Sequence, residues 1–258
     1  MTVATFQTAI DGVNPFTVEG PATLGSGVIV PQYKLGHVAY GDAESEWVYC
    51  KYTSVSNQVL SPGLLFTVDD DYTATLLTTS NSPRGSKVMV CGVGLGINGQ
   101  TVTTVTGSVY YLWLARSGQL PVAYTAVATV GNSAETTATG GAANFPNSLT
   151  TSAKQISGLY ITKAVGGTFT GTTVNGSTAV TVAPGQLSID SGPSWLGSTL
   201  SATGIASSQT ITAIQAIGST ITGFTLSAAA TASGTVTITN SLVAQARVMW
   251  PYIISVNP

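Results

Sequence analysis

Residues 46–116 read EWVYCKYTSVSNQVLSPGLLFTVDDDYTATLLTTSNSPRGSKVMVCGVGLGINGQTVTTVTGSVYYLWLAR, and the fold class is decided here. Along EWVYCKY the side chains alternate. Trp47, Tyr49 and Lys51 share one face; Glu46, Val48, Cys50 and Tyr52 share the other, which is the period of a strand. Gly41-Asp42 precedes the run as a turn signal. Ser61-Pro62-Gly63 makes a tight turn before LLFTV, Asp69-Asp70-Asp71 separates LLFTV from YTATLL, and NSPRG leads into KVMVCGVGLG. Past Gly107-Ser108, VYYLWLA is the strongest strand, and Arg116-Ser117-Gly118 is expected to end it. Strands of this length with turns at short spacing predict an all-β antiparallel barrel or sandwich.

Upstream, residues 1–36 hold Phe6, Ile10 and Phe16 among Gly12, Pro15, Gly20, Pro21 and Pro31. That density of breakers blocks long helices and central strands. It predicts an extended N-terminal arm, packed either on its own domain or on a neighbouring subunit. Downstream, residues 119–155 are rich in Ser, Thr, Gly and Ala. They read as short strands with wide loops, since Gly140-Gly141 and Pro146 argue against a helix. Gln155 to Lys163, QISGLYITK, is a further strand. From Gly166 to Asn240 the only charged residue is Asp190. Thr and Val alternate there between regularly placed glycines, which predicts a small β-sandwich-like module of about five or six short strands. SLVAQARVMWPYIISV then resumes the earlier style. The expected organisation is an arm (1–36), a β base domain (37–165 plus 241–258) and an inserted module (166–240). The alternative, two domains in tandem, makes RVMWPYIISV the last strand of the second.

The chain has 258 residues, 43% of them hydrophobic and 7% charged, with a net charge of -2. An average protein carries about 25% charged residues. A net charge this small leaves no electrostatic footprint for nucleic acid. It also does little to keep copies apart, which points to an oligomer or to a part of a larger particle. No apolar run approaches the ~18 residues of a membrane span, and no signal segment opens the sequence, so folding in a cytosol is expected. Cys50 and Cys91 are too few for a disulfide framework and read as buried thiols.

Catalytic groupings are scarce. His37 is the only histidine, and no nucleophile elbow accompanies it. One His and two separated Cys do not make a conventional zinc site. The three aspartates lack the spacing of a calcium loop and read as a hairpin tip. Glu44 and Glu46 have no opposing acid for glycoside hydrolysis. Gly92 to Gly96 lacks the spacing and the following helix of a nucleotide loop. These readings predict no enzyme, no cofactor and no metal. Trp195, in SGPSWLGS, either caps the core of the module or serves as an exposed anchor for a partner or a sugar.

The order of the segments resembles the capsid decoration (cement) proteins of tailed bacteriophages. The aromatic WVYCKY is followed by a Pro-Gly turn and LLFTVDDD, a polar ATLLTT, a glycine-linked VMVCGVGLG, and YYLWLARSG closed by a basic residue and glycine. Val90 to Gly94 and Tyr111 to Gly118 stand where that family has a "VGVA"-like and a "YGWVQ-G"-like strand. The resemblance covers about residues 35–165 and 242–256. It implies a structural virion protein on the outer capsid surface, made in the host cytoplasm, whose partner is the major capsid protein. Capsid symmetry favours a homotrimer at local three-fold positions. Phe6, Ile10 and Phe16 are then the expected capsid contacts, with the module projecting outward. Thr/Gly-rich segments like 166–240 also look like β domains of phage structural and bacterial surface proteins. The alternative is thus a tail or surface adhesin that grips host glycans through Trp195.

Overall fold

The structure, a computed structural model, describes residues 14–20, 31–41, 44–54, 57–93, 103–105, 107–163, 167–184, 186–187, 199–218, 220–241 and 243–256. Every regular element among them is a β-strand. In the first half these are β1 (Val18–Glu19), β2 (Val38–Tyr40), β3 (Glu46–Thr53), β4 (Gln58–Leu60), β5 (Leu65–Val68), β6 (Thr73–Leu76), β7 (Lys87–Cys91), β8 (Thr103–Val105) and β9 (Val109–Ala128). Then come β10 (Ser133–Thr136), β11 (Ala143–Phe145), β12 (Lys154–Lys163), β13 (Gly167–Thr173) and β14 (Ala179–Val182). The chain finishes with β15 (Thr199–Ala202), β16 (Ile205–Ile217), β17 (Thr220–Leu226), β18 (Gly234–Ser241) and β19 (Val243–Val256).

Eleven strands form one sheet, and β9 is its hub. Its first half pairs with β3, from Thr53↔Val109 to Glu46↔Ser117, and with β7 at Cys91↔Leu114. Its second half pairs with β19, from Met249↔Ser117 to Val243↔Ala123, and with β11. These contacts close two circuits of hydrogen-bonded strands. One runs β9–β3–β6–β5–β7 and back to β9. The other runs β9–β11–β10–β12–β19 and back. The β3–β6 and β9–β11 pairs are parallel, so the base is a mixed sheet.

Period-two alternation explains the two cores. Val48, Cys50 and Tyr52 of β3 join Phe66, Val68, Met89, Cys91, Leu112 and Leu114 inside the first circuit. Trp47 and Tyr49 face the other way and join Trp113, Leu120, Val122, Phe145, Ile156, Leu159, Ala246 and Val248. A strand buried on both faces needs an almost continuous apolar run, which WVYCKY and VYYLWLA supply.

Two local expectations change. Arg116-Ser117-Gly118 does not end the strand. Arg116 is the extra residue of a bulge, because Glu46 opposes Ser117 while Trp47 opposes Ala115. Gly118, at φ +124°, lets β9 bend past β3, where an added Cβ would lie 3.1 Å from the Ser45 Cα. The breakers therefore re-aim the strand, as bulges do, and residues 119–128, expected as short strands with wide loops, continue β9. The arm's described part lies on its own chain. Val18 pairs with Leu112, Glu19 accepts a hydrogen bond from the Gln32 amide (3.1 Å) and another from the Tyr49 hydroxyl, and Tyr33 packs edge-on against Trp113.

Residues 167–241 close into a six-stranded barrel of order β13–β14–β17–β16–β15–β18, a single closed sheet where two packed sheets were expected. The closing pair is long, running from Gly167↔Asn240 to Thr173↔Gly234. Phe169, Val180, Leu200, Ile211, Ile214, Ile221, Phe224 and Ile238 point inward to a core of their own. Closure removes the edges that such short, charge-poor strands would otherwise present to other chains. The strands flanking this segment, β12 and β19, are paired neighbours in the large sheet, with Lys163 opposite Gln245. RVMWPYIISV thus belongs to the large sheet.

Candidate functional site

The most unusual local geometry lies in β19. Ser157 pairs with Tyr252 and Leu159 with Val248, so Gly158 alone opposes Met249, Trp250 and Pro251. Gly158 has φ +75°, and a Cβ there would sit 2.3 Å from the Met249 carbonyl oxygen. Trp250 adopts φ +50°, a left-handed conformation that bulky residues rarely take. The bulge sits where β19 exchanges neighbours: Met249 still pairs with Ser117 of β9, whereas Tyr252 pairs with Lys87 of β7. Three large side chains emerge, with Met249 47%, Trp250 59% and Tyr252 48% exposed.

Charged groups support this patch from below. The Arg116 guanidinium lies 4.1 Å from the centre of the Trp250 ring. Its Nη2 donates to Glu46 Oε1 at 2.5 Å, with the Glu46 side chain almost fully buried. The Arg116 Nε is buried without a hydrogen-bond partner. Beside this pair, Arg247 donates to Glu44, and the Ser117 hydroxyl donates to the Glu44 carbonyl at 2.8 Å. Two arginines and two glutamates neutralise each other around the indole. Tyr40, 63% exposed, continues the row through the register Tyr40↔Glu46↔Ser117↔Met249. Cross-strand partners share a face, so the row runs across four strands.

No protein-family model, no curated protein and no solved structure matches this chain.

The residues singled out from sequence fare differently. Phe6, Ile10 and Trp195 lie outside the described residues. Phe16 is half-buried and meets Trp47 edge-on, with ring centres 5.7 Å apart. His37 stacks on Tyr33 at 5.6 Å and lies 6.0 Å from Trp113. Asp69 closes its own turn, accepting from the Asp71 and Thr73 amides at 3.0 and 2.7 Å. Asp70 pairs with Lys87, whose hydrogen bond and charge hold its carboxyl below the usual range. Glu44 and Glu46 are each bound to an arginine. Burial pushes the Cys50 and Cys91 thiols up to about 12. Among the described residues no group of three His, Cys, Asp or Glu could hold a metal.

Sequence reading passed over the bulge. Trp250 fits an apolar strand pattern with Val248, Ile253 and Val256 and reads as part of that run. Two signals marked it: Pro251 inside a strand pattern, and Gly158 inside the facing one. A proline in a strand is confined to edges and bulges, and a glycine there often marks a bulge or a close backbone approach.

Proposed function

We propose that this chain is a structural virion protein that binds the outside of a tailed-phage capsid and stabilises it. One observation carries the reading. The segments whose order resembles decoration proteins, WVYCKY, LLFTV, KVMVC and VYYLWLAR, are β3, β5, β7 and the start of β9, and all four belong to a single strand circuit. These four segments thus fall on one folded unit. The proposed work is mechanical. The base sits at a junction between major capsid subunits, buries apolar surface there, and resists outward pressure. An interface of standard size, ~1,600 Å², binds tightly without any chemistry. The first contacts are Phe6 and Ile10, with Phe16 anchoring the arm to its own core. A homotrimer at local three-fold positions matches the symmetry of such a shell. No catalysis, cofactor or metal enters this reading.

The test uses expanded, undecorated capsids of the phage that encodes the chain, mixed with the purified protein and imaged by cryo-electron microscopy. Added density at local three-fold positions is expected. Deletion of residues 1–13, which spares the Phe16–Trp47 contact, should abolish it. Bare shells would overturn the proposal. Glycan-array binding that is lost on Trp195→Ala would replace it with the adhesin reading.

A further inference from the structure

We infer that the Trp250 bulge is the surface through which copies of this chain meet, lying on the symmetry axis of a homo-oligomer. The inference names the self-contact surface of the proposed virion protein, yet it needs no capsid, so the two can fail separately.

A bulky residue at positive φ is strained and persists only where its surroundings over-determine it. Here Gly158 makes room for the Met249 carbonyl, and the exchange of β9 for β7 forces the extra residues outward. The result holds a tryptophan in solvent, where an ordinary strand would turn it inward or carry a small residue.

Met, Trp, Tyr and Arg are the residues enriched at the cores of protein interfaces, and Trp, Tyr and Arg dominate their binding energy. The indole is also pre-organised. One face rests on Arg116, and Arg116 is locked to buried Glu46. Little side-chain freedom remains to be lost on contact.

The Glu44–Arg247 and Glu46–Arg116 pairs sum to zero charge, so the patch attracts neither a polyanion nor a cationic surface. A cation approaching the free face of the indole would be opposed by Arg116 behind it. The patch instead offers both signs of charge and both members of a sulfur–aromatic contact, Met249 against Trp250 or Tyr252. Residues on a symmetry axis meet their own copies, and a surface that holds both halves of each contact can do so around a three-fold as well as a two-fold axis. With a net charge of -2 per chain, repulsion between copies is weak.

Sedimentation of the full chain over a concentration series tests this. The wild type should show a multiple of 26.2 kDa. Trp250→Gly should weaken association at least ~tenfold, the loss expected of a central interface residue. Its near-UV circular dichroism should persist, because glycine accepts the left-handed backbone. Met249→Glu, which leaves the strained backbone alone, should weaken association too, and it decides the matter if Trp250→Gly misfolds. Ile217→Ser, at an exposed apolar residue of the barrel (77% exposed), should leave association unchanged. A monomeric wild type overturns the inference. So does undiminished association of a folded Trp250→Gly or Met249→Glu, or an equal loss from Ile217→Ser.

Discussion

At the scale of single residues, burial governs the ionisable groups. Cys50 and Cys91 lie inside the same circuit, and loss of hydration raises both thiols to about 12, with the Asp69 charge adding to the effect at Cys50. In the unfolded chain they ionise near ~8.5. The folded protein therefore keeps two protons that the unfolded chain releases. Their stabilisation is complete below about pH 8.5 and declines as pH rises toward about 12, by at most ~1.4 kcal/mol per pH unit for each thiol. Tyr49 acts in the same sense at higher pH, its phenol raised by burial and then by Glu19. Urea midpoints between pH 7 and 10 should fall above about pH 8.5. A Cys50→Ala/Cys91→Ala variant should show a shallower decline. An equally steep decline in that variant would assign the effect to other groups.

At the scale of elements, two strands change neighbours part-way along, and each does so at a bulge. β9 turns at Arg116 and Gly118, and β19 turns at Met249 to Pro251. One strand can then serve two circuits without a loop whose backbone groups would be buried unpaired. This makes Gly158 the most constrained position of the β12–β19 pair. Gly158→Ala places a Cβ against backbone at 2.3 Å in a left-handed conformation. It should destabilise the fold by ~3 kcal/mol or more. Gly85→Ala, at φ +87° with nothing within 4 Å of the added carbon, should cost only the ~1–2 kcal/mol of the backbone term. Chemical denaturation of the two variants separates the contributions. Equal losses would show that the bulge relaxes around the new methyl.

At the scale of the whole molecule, the barrel and the large sheet keep separate cores, with no residue shared between them. Lys163 and Gln245, on either side of the barrel segment, are cross-strand partners, and such Cα atoms lie ~5 Å apart. A tight turn can therefore join β12 to β19. Replacing residues 164–242 with a short Asn-Gly turn should leave a base that unfolds cooperatively and keeps the near-UV signal of Trp47 and Trp113. Loss of that signal would show that the base depends on the barrel. Chains tolerate extra segments where the two ends of the host lie close together at a surface.

Much was legible in the sequence because some signals are local. The alternation in EWVYCKY, the breaker clusters and the Thr/Val pattern of 166–240 specify strands by short-range geometry, and they determined the all-β class. The likeness of RVMWPYIISV to the first half, rather than to its immediate neighbours, pointed to the strand's place in the large sheet. Other features depend on which strand lies opposite, and no spacing along a chain encodes that. Whether Gly118 ends a strand or bends it was decided by the approach of Ser45. Whether Trp250 is core or surface was decided by Gly158, ninety-two positions earlier in the chain, and by a change of partner from β9 to β7. The sequence by itself determined the composition and period of the strands, since these are properties of neighbouring residues. Tertiary structure alone decided the two circuits around β9, the closure of the barrel and the exposed indole at the bulge, because each arises from pairing between distant segments.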